Sequence, residues 1–187
     1  MIMDYSTKID IPGVVFGTPR TGYSANGSVN PAVYVQDVWH GEWILRYTSP
    51  NGCMSVYRKD ADAIRCIAEK SILTNSVGEP TKITAVQRYF PSTVFLPLEL
   101  EISKGWSYST VGEWGWLAED NDPTQPIAGA KFQHDIELYT DGINLWMNEK
   151  YWDNDKLVYS RNYHYDVASK FLIAFYDNLY NLHYTAL

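Results

Sequence analysis

Two runs that alternate apolar and polar residues, Phe132–Tyr139 and Ile143–Met147, lie either side of Asp141-Gly142. That dipeptide suits a two-residue hairpin turn because both positions accept positive φ. With Asp141 and Gly142 as the loop, Thr140 pairs with Ile143, Leu138 with Leu145, Glu137 with Trp146, and Asp135 with Asn148. Strand side chains alternate between faces, so Phe132, Ile136, Leu138, Ile143, Leu145 and Met147 line one face. Asp135, Glu137, Tyr139, Asn144, Trp146 and Asn148 line the other. The first face reads as core; the second gathers carboxylates, amides and aromatics.

The same period recurs along the chain. Ala32–Trp39, Glu42–Thr48 and Cys53–Arg58 predict a three-strand meander, joined at His40-Gly41 and Ser49–Gly52. A short strand is expected over 10–16, and Gly17–Pro31, rich in Gly, Ser, Asn and Pro, reads as one long loop. At Lys59 the period changes: Asp60 suits an N-cap, and Ala63, Ile64, Ile67, Ala68 and Ile72 recur at helical spacing. One α-helix is therefore predicted over Ala61–Leu73. Lys82–Phe90 and Ser92–Ser103 follow as strand-like runs, the second broken by Pro97. Lys156–Tyr165 alternates again. From Val167 onward, i+4-like apolar spacing competes with two short strands around Asp177-Asn178, and the aromatic density favours strands. Eight or more short strands with frequent turns predict one mainly β domain over residues 1–187, an antiparallel β-sandwich or jelly roll first and a closed β-barrel second.

Composition narrows the classes. Hydrophobic residues make up 45% and charged residues 20% of 187 residues, the balance of a globular, soluble chain. Tyr (15) and Trp (7) outnumber Phe (6), which favours half-exposed aromatic positions over a purely apolar core. Residues 1–93 carry nine Lys+Arg and eight Asp+Glu, net +1; residues 94–187 carry six and fourteen, net −8. The acidic half and the lack of a basic run argue against nucleic acid. They are compatible with a cation, a basic partner or a neutral ligand. The start lacks a basic segment followed by an apolar core, so no secretory signal is expected, and no apolar run approaches the roughly 20 residues of a membrane span. Cys53 and Cys66 are too few for a disulfide framework.

Three constellations could carry chemistry. Asp135 and Glu137 share a strand face, where two carboxylates could serve a glycosidase or lyase; Trp146 opposite Glu137 would wall it and raise its pKa. The aromatics Trp114, Trp116, Trp146, Trp152 and Tyr139, beside Asn144 and Asn148, suit a glycan: flat rings stack on CH groups while amides and carboxylates pair with hydroxyls. Exposed aromatics equally suit a protein surface. Asp120 and Asp122, and Asp153 and Asp155, place oxygen ligands in turns chemically suited to Ca²⁺, without the spacing of a calcium loop. No zinc spacing and no nucleophile elbow occur. The reading that follows is a non-enzymatic binding module whose aromatic, carboxylate-rich β face takes a glycan or a protein partner, with no resident cofactor expected. Behind it stand a structural subunit of a homo-oligomer or larger assembly of virion or appendage type, reaching neighbours through its 17–31 loop and termini, and a carboxylate enzyme using Asp135 and Glu137.

Overall fold

Strands take up most of the described residues, because alternation of period two runs through most of the chain. The computed structural model describes residues 7–17, 20–25, 28–49, 53–74, 80–117, 129–178 and 182–186. In chain order these form β1 (Lys8–Asp10), α1 (Ile11–Val15), β2 (Arg20–Ala25), β3 (Ser28–His40), β4 (Trp43–Ser49), β5 (Cys53–Lys59) and β6 (Ala63–Thr74). There follow β7 (Pro80–Pro97), β8 (Glu99–Glu101), β9 (Gly105–Leu117), β10 (Gly129–Thr140), β11 (Asn144–Asp153), β12 (Lys156–Asp166), β13 (Phe171–Asp177) and β14 (Leu182–Ala186).

All ladders are antiparallel. β1 pairs only with β8, while the remaining twelve strands link edge to edge in one circuit, with β14 joined to β2 and β9 lying between β7 and β10. The circuit is flattened onto its own core. Ile44, Tyr57, Ile64 and Phe95 from one half belong to the same buried cluster as Ile136, Leu138, Leu145, Met147 and Tyr165 from the other. Two antiparallel layers meeting across one apolar core is the packing of a β-sandwich. α1 contributes Ile11, Val14 and Val15 to that core. The Arg46 guanidinium holds it there: Nη2 donates to Val15 O at 2.7 Å, the Asp37 carboxylate neutralises it at 2.7 Å, and it lies 4.5 Å from the centre of the Phe16 ring.

The helix expected over 61–73 is a strand. Ile64 and Cys66 face the core, and β6 pairs with β5 on one side and β7 on the other. The β-branched Ile64, Ile67 and Ile72 suit a pleated surface, and bulges near Ile64 and Cys66 shift the alternation until it imitates a helical stripe. The only helix among the described residues is α1, where a strand was expected. Pro12 sits in its first turn, where a missing N–H costs nothing, and Phe16 N–H closes the turn on Pro12 O at 2.9 Å. Residues 17–31, expected as one loop, contain β2 and the start of β3. Ala25 pairs with Ser28 across Asn26-Gly27, a tight-turn dipeptide, and positions 26 and 27 themselves lie outside the described residues. The three-strand meander is present as β3, β4 and β5, and the segment after Val167 forms two strands.

The central hairpin keeps its faces but not its register. Thr140 pairs with Leu145, Tyr139 with Trp146, Glu137 with Asn148 and Asp135 with Lys150. The displacement is two residues, so every side chain stays on its expected face. Phe132, Ile136, Leu138, Leu145 and Met147 are buried, whereas Ile143, expected with them, is 69% exposed in the loop. Side chains lengthen that loop. Asp141 Oδ1 accepts from the N–H groups of Ile143 (2.8 Å) and Asn144 (2.7 Å), and Thr140 Oγ1 accepts from Gly142 N–H at 3.0 Å. Gly142 has φ +92°, and a Cβ there would come within 3.1 Å of Ile102 Cδ1, so glycine is required. The tight two-residue turn lies instead between β11 and β12, where Asn154 and Asp155 both have positive φ and Asp153 pairs with Lys156. Leu145→Ala should cost about 2–5 kcal/mol in urea unfolding, and Ile143→Ala no more than about 0.5 kcal/mol; equal losses would refute this register.

Candidate functional site

β11 carries two different environments on its two faces. Inward it sends Leu145, Met147, Glu149 and Tyr151, and outward Trp146, Asn148, Lys150 and Trp152. On the outer face, cross-strand pairing sets rows across four strands. The first is Gly105, Tyr139, Trp146 and His164; the second is Ser107, Glu137, Asn148 and Asn162. The first row is a pile of rings. Tyr139 and Trp146 stack with centroids 5.7 Å apart, and Trp146 and His164 with centroids 5.3 Å apart. Such cross-strand pairs stabilise a sheet locally, and here they also hold three polar-tipped rings upright at its surface. His164 is oriented in turn: Nε2–H donates to Asn144 Oδ1 at 2.9 Å, and Asn144 Nδ2 donates to Asp141 Oδ2 at 3.2 Å. The loop aspartate thereby sets the last ring of the pile.

The carboxylates occupy two different settings. Glu137 is exposed and accepts one hydrogen bond, from Asn148 Nδ2 at 3.1 Å. Asp135 is half-buried and fully occupied. It accepts from Ser109 Oγ (2.6 Å), Gln133 Nε2 (2.9 and 3.1 Å) and Trp152 Nε1 (2.9 Å). Burial alone would raise its pKa, but these donors outweigh that and hold it below the usual carboxylate range. Trp146 stands opposite Tyr139 and not opposite Glu137, so the expected apolar wall for Glu137 is absent.

Six of the nine expected ligand-binding residues thus meet on one face: Asp135, Glu137, Tyr139, Trp146, Asn148 and Trp152. Asn144 joins them through His164. Trp114 and Trp116 lie on β9, where Trp114 pairs with Tyr89 and Ala130; their side chains lie outside the described residues. Asp120 and Asp122 are outside them altogether. Asp153 and Asp155 flank Asn154, whose amide donates to Asp153 Oδ1 at 2.9 Å, which is turn chemistry. Among the described residues no group of three His, Cys, Asp or Glu could hold a metal ion, and no helix is long and apolar enough to cross a membrane. A separate concavity of about 620 Å³ is lined by Lys8, Asp10, Lys59, Asp62, Glu99 and Glu101, with Lys8 and Glu99 paired at 3.1 Å. It contains none of the expected residues.

Sequence reasoning missed the polar chemistry inside. Glu149 is 5% exposed, yet it accepts from His134 Nε2 at 2.8 Å and from the hydroxyls of Tyr163 (2.9 Å) and Tyr159 (3.4 Å). Arg161 pairs with Asp177 at 2.8 Å and lies 4.2 Å from the centre of the Tyr159 ring. Burial pushes the Glu149 carboxyl up, but the hydrogen bond and charge of His134, the charge of Arg161 and the Tyr163 hydroxyl bring it down to about 2. Cys66 is a free buried thiol whose pKa is raised by burial and by the negative charges of Glu69 and Glu149. His134 and His164 point to opposite faces, the first inward and the second outward beside Trp146. The usable signal was parity: Glu149 is two residues from both Met147 and Tyr151 and so shares the inward face.

No protein-family model, curated protein or solved structure matches this chain.

The Glu149 carboxyl titrates lower folded than its ordinary 4.5. Its stabilisation is therefore complete above that value and is lost as pH falls toward about 2. Glu149→Gln should lower unfolding free energy at pH 7 by about 3 kcal/mol and flatten the decline of stability between about pH 5 and 2. An unchanged acid limb in urea titrations of the variant would count against this network.

Proposed function

We propose that this chain is a non-enzymatic binding module whose outer β9–β12 face takes a neutral, hydroxyl-rich glycan. The observation that carries this reading is the ring pile Tyr139–Trp146–His164 running beside the polar row of Ser107, Glu137, Asn148 and Asn162. Within the pile the rings cover one another. The far side of Tyr139 lies above Gly105, where even an added Cβ would meet only Leu138 O at 3.6 Å. A sugar ring stacked there would have Glu137 and Asn148 in the neighbouring row, able to accept from and donate to its hydroxyls. This is the pairing of apolar and polar contacts that a pyranose presents.

The engagement of Asp135 favours binding over catalysis. A carboxylate that serves as nucleophile or base in glycoside cleavage needs a free oxygen to reach the sugar or a water. The oxygens of Asp135 are taken by Ser109, Gln133 and Trp152. The assembly-subunit reading is weakened at one of its contact arms, because β2 and β3 occupy much of 17–31. A protein partner would use the same ring edges and is separated from a glycan by experiment.

In a titration against a panel of neutral oligosaccharides, tryptophan fluorescence should shift with at least one member. Tyr139→Ala and Glu137→Gln should each weaken that binding about tenfold or more, a loss of about 1.4 kcal/mol, with unchanged circular dichroism. Silence across the panel, or new reducing ends released by wild type and not by Glu137→Gln, would overturn the proposal.

A further inference from the structure

The opposite layer has an outer face of another kind. Pairing across β3, β4 and β5 aligns Val38, Leu45 and Val56 in one outward row, which Ala68 continues on β6. Alternate positions point inward: Ile44, Tyr57 and Cys66 are buried in the core. Trp43 flanks the apolar row on one side and Tyr47 on the other. Val38 is 37% exposed, Trp43 37% and Tyr47 46%, while Leu45, Val56 and Met54 are half-buried. Exposed apolar rows with aromatics at their margins mark contact surfaces more often than scattered apolar residues do.

We infer that this face is a self-association surface, covered by the same face of a second copy of the chain. The distribution of charge selects that occupant. The face is built from residues 36–68, within the half of the chain that carries net +1, while residues 94–187 carry −8. Two copies meeting here keep their acidic halves apart. A basic partner is drawn to those acidic halves instead. An acidic partner or an anionic membrane finds both arginines beside the row already paired within the chain: Arg58 with Asp60 at 2.6 Å, and Arg65 with Asp60 at 2.8 Å and Asp62 at 2.9 Å.

The rows are also self-complementary. Around a twofold axis lying in the interface along the strands, between β4 and β5, Leu45 faces Val56 of the second copy. Trp43 then faces Arg58, a cation–π pair, and Tyr47 faces Met54, a sulfur–aromatic contact. Four strands about 4.8 Å apart and five residues of about 3.4 Å each make a small footprint, so the dimer is weak and its population depends on concentration. The inference does not rest on glycan binding, although such a dimer would carry two β9–β12 faces on its far sides and make binding bivalent.

Sedimentation equilibrium from about 1 to about 500 µM, in about 150 mM and about 1 M salt, tests this. Wild type should rise from 21.4 kDa toward twice that mass with concentration, and high salt should not reverse the rise. Val38→Lys and Tyr47→Lys should stay monomeric with wild-type circular dichroism. Tyr47→Ser, which adds no charge, should weaken association at least fivefold and guards against a folding artefact in the lysine variants. A wild type monomeric throughout, or charged variants that are folded and still dimerise, would overturn the inference.

Discussion

The structure depends on how its interior accommodates Glu149. Strands of ten or more residues have two faces, and a closed circuit of them gives one face no access to water. Any acid that falls on the inward parity must be paired or protonated there. His134, Tyr159 and Tyr163 surround Glu149, and Arg161 adds a neighbouring positive charge while pairing with Asp177. The partners come from β10 and β12, the strands on either side of β11, so the network sews three strands together from within. Those strands also hold the outer aromatic pile. Satisfying Glu149 inside and ordering Trp146 outside are two results of one register.

That register shows what the sequence revealed and where it misled. Parity was legible: Phe132, Ile136, Leu138, Leu145 and Met147 are the core face, and Asp135, Glu137, Tyr139, Trp146 and Asn148 the outer one. Alternation fixes faces but is indifferent to a slip of two residues, which exchanges neighbours without turning any side chain over. The slip was decided by hydrogen bonds local to the loop. Asp141 caps Ile143 and Asn144 with its own carboxylate, which widens the turn beyond the two residues its Asp-Gly dipeptide suggested. The tight turn went to Asn154-Asp155, a pair equally tolerant of positive φ.

The misassigned helix has a related cause. Bulges in β6 insert residues into the alternation, so Ile64, Ile67 and Ile72 fall at intervals a helix would also produce. Composition alone could have argued the other way, since β-branched residues lose side-chain freedom in helices. For α1 the reverse holds: five residues are too few for a periodic signal, and the apolar run after Pro12 was read as a short strand. The buried network was illegible for a different reason. A glutamate on the core parity of one strand becomes informative only when the histidine and tyrosines that receive it are placed on the neighbouring strands.

The two outer faces follow from the same geometry. One layer exposes carboxylates, amides and stacked rings; the other exposes Val38, Leu45 and Val56 with its arginines neutralised inside the chain. Each layer's inward parity is committed to a shared core, so its outward parity is free to differ, and the charge of the chain divides accordingly. An apolar sheet face left in water is an aggregation hazard unless something specific covers it. In the proposed dimer, pairing of like faces through a symmetric contact would limit that hazard to a closed pair and would turn the acidic faces outward, where repulsion between dimers would oppose further growth.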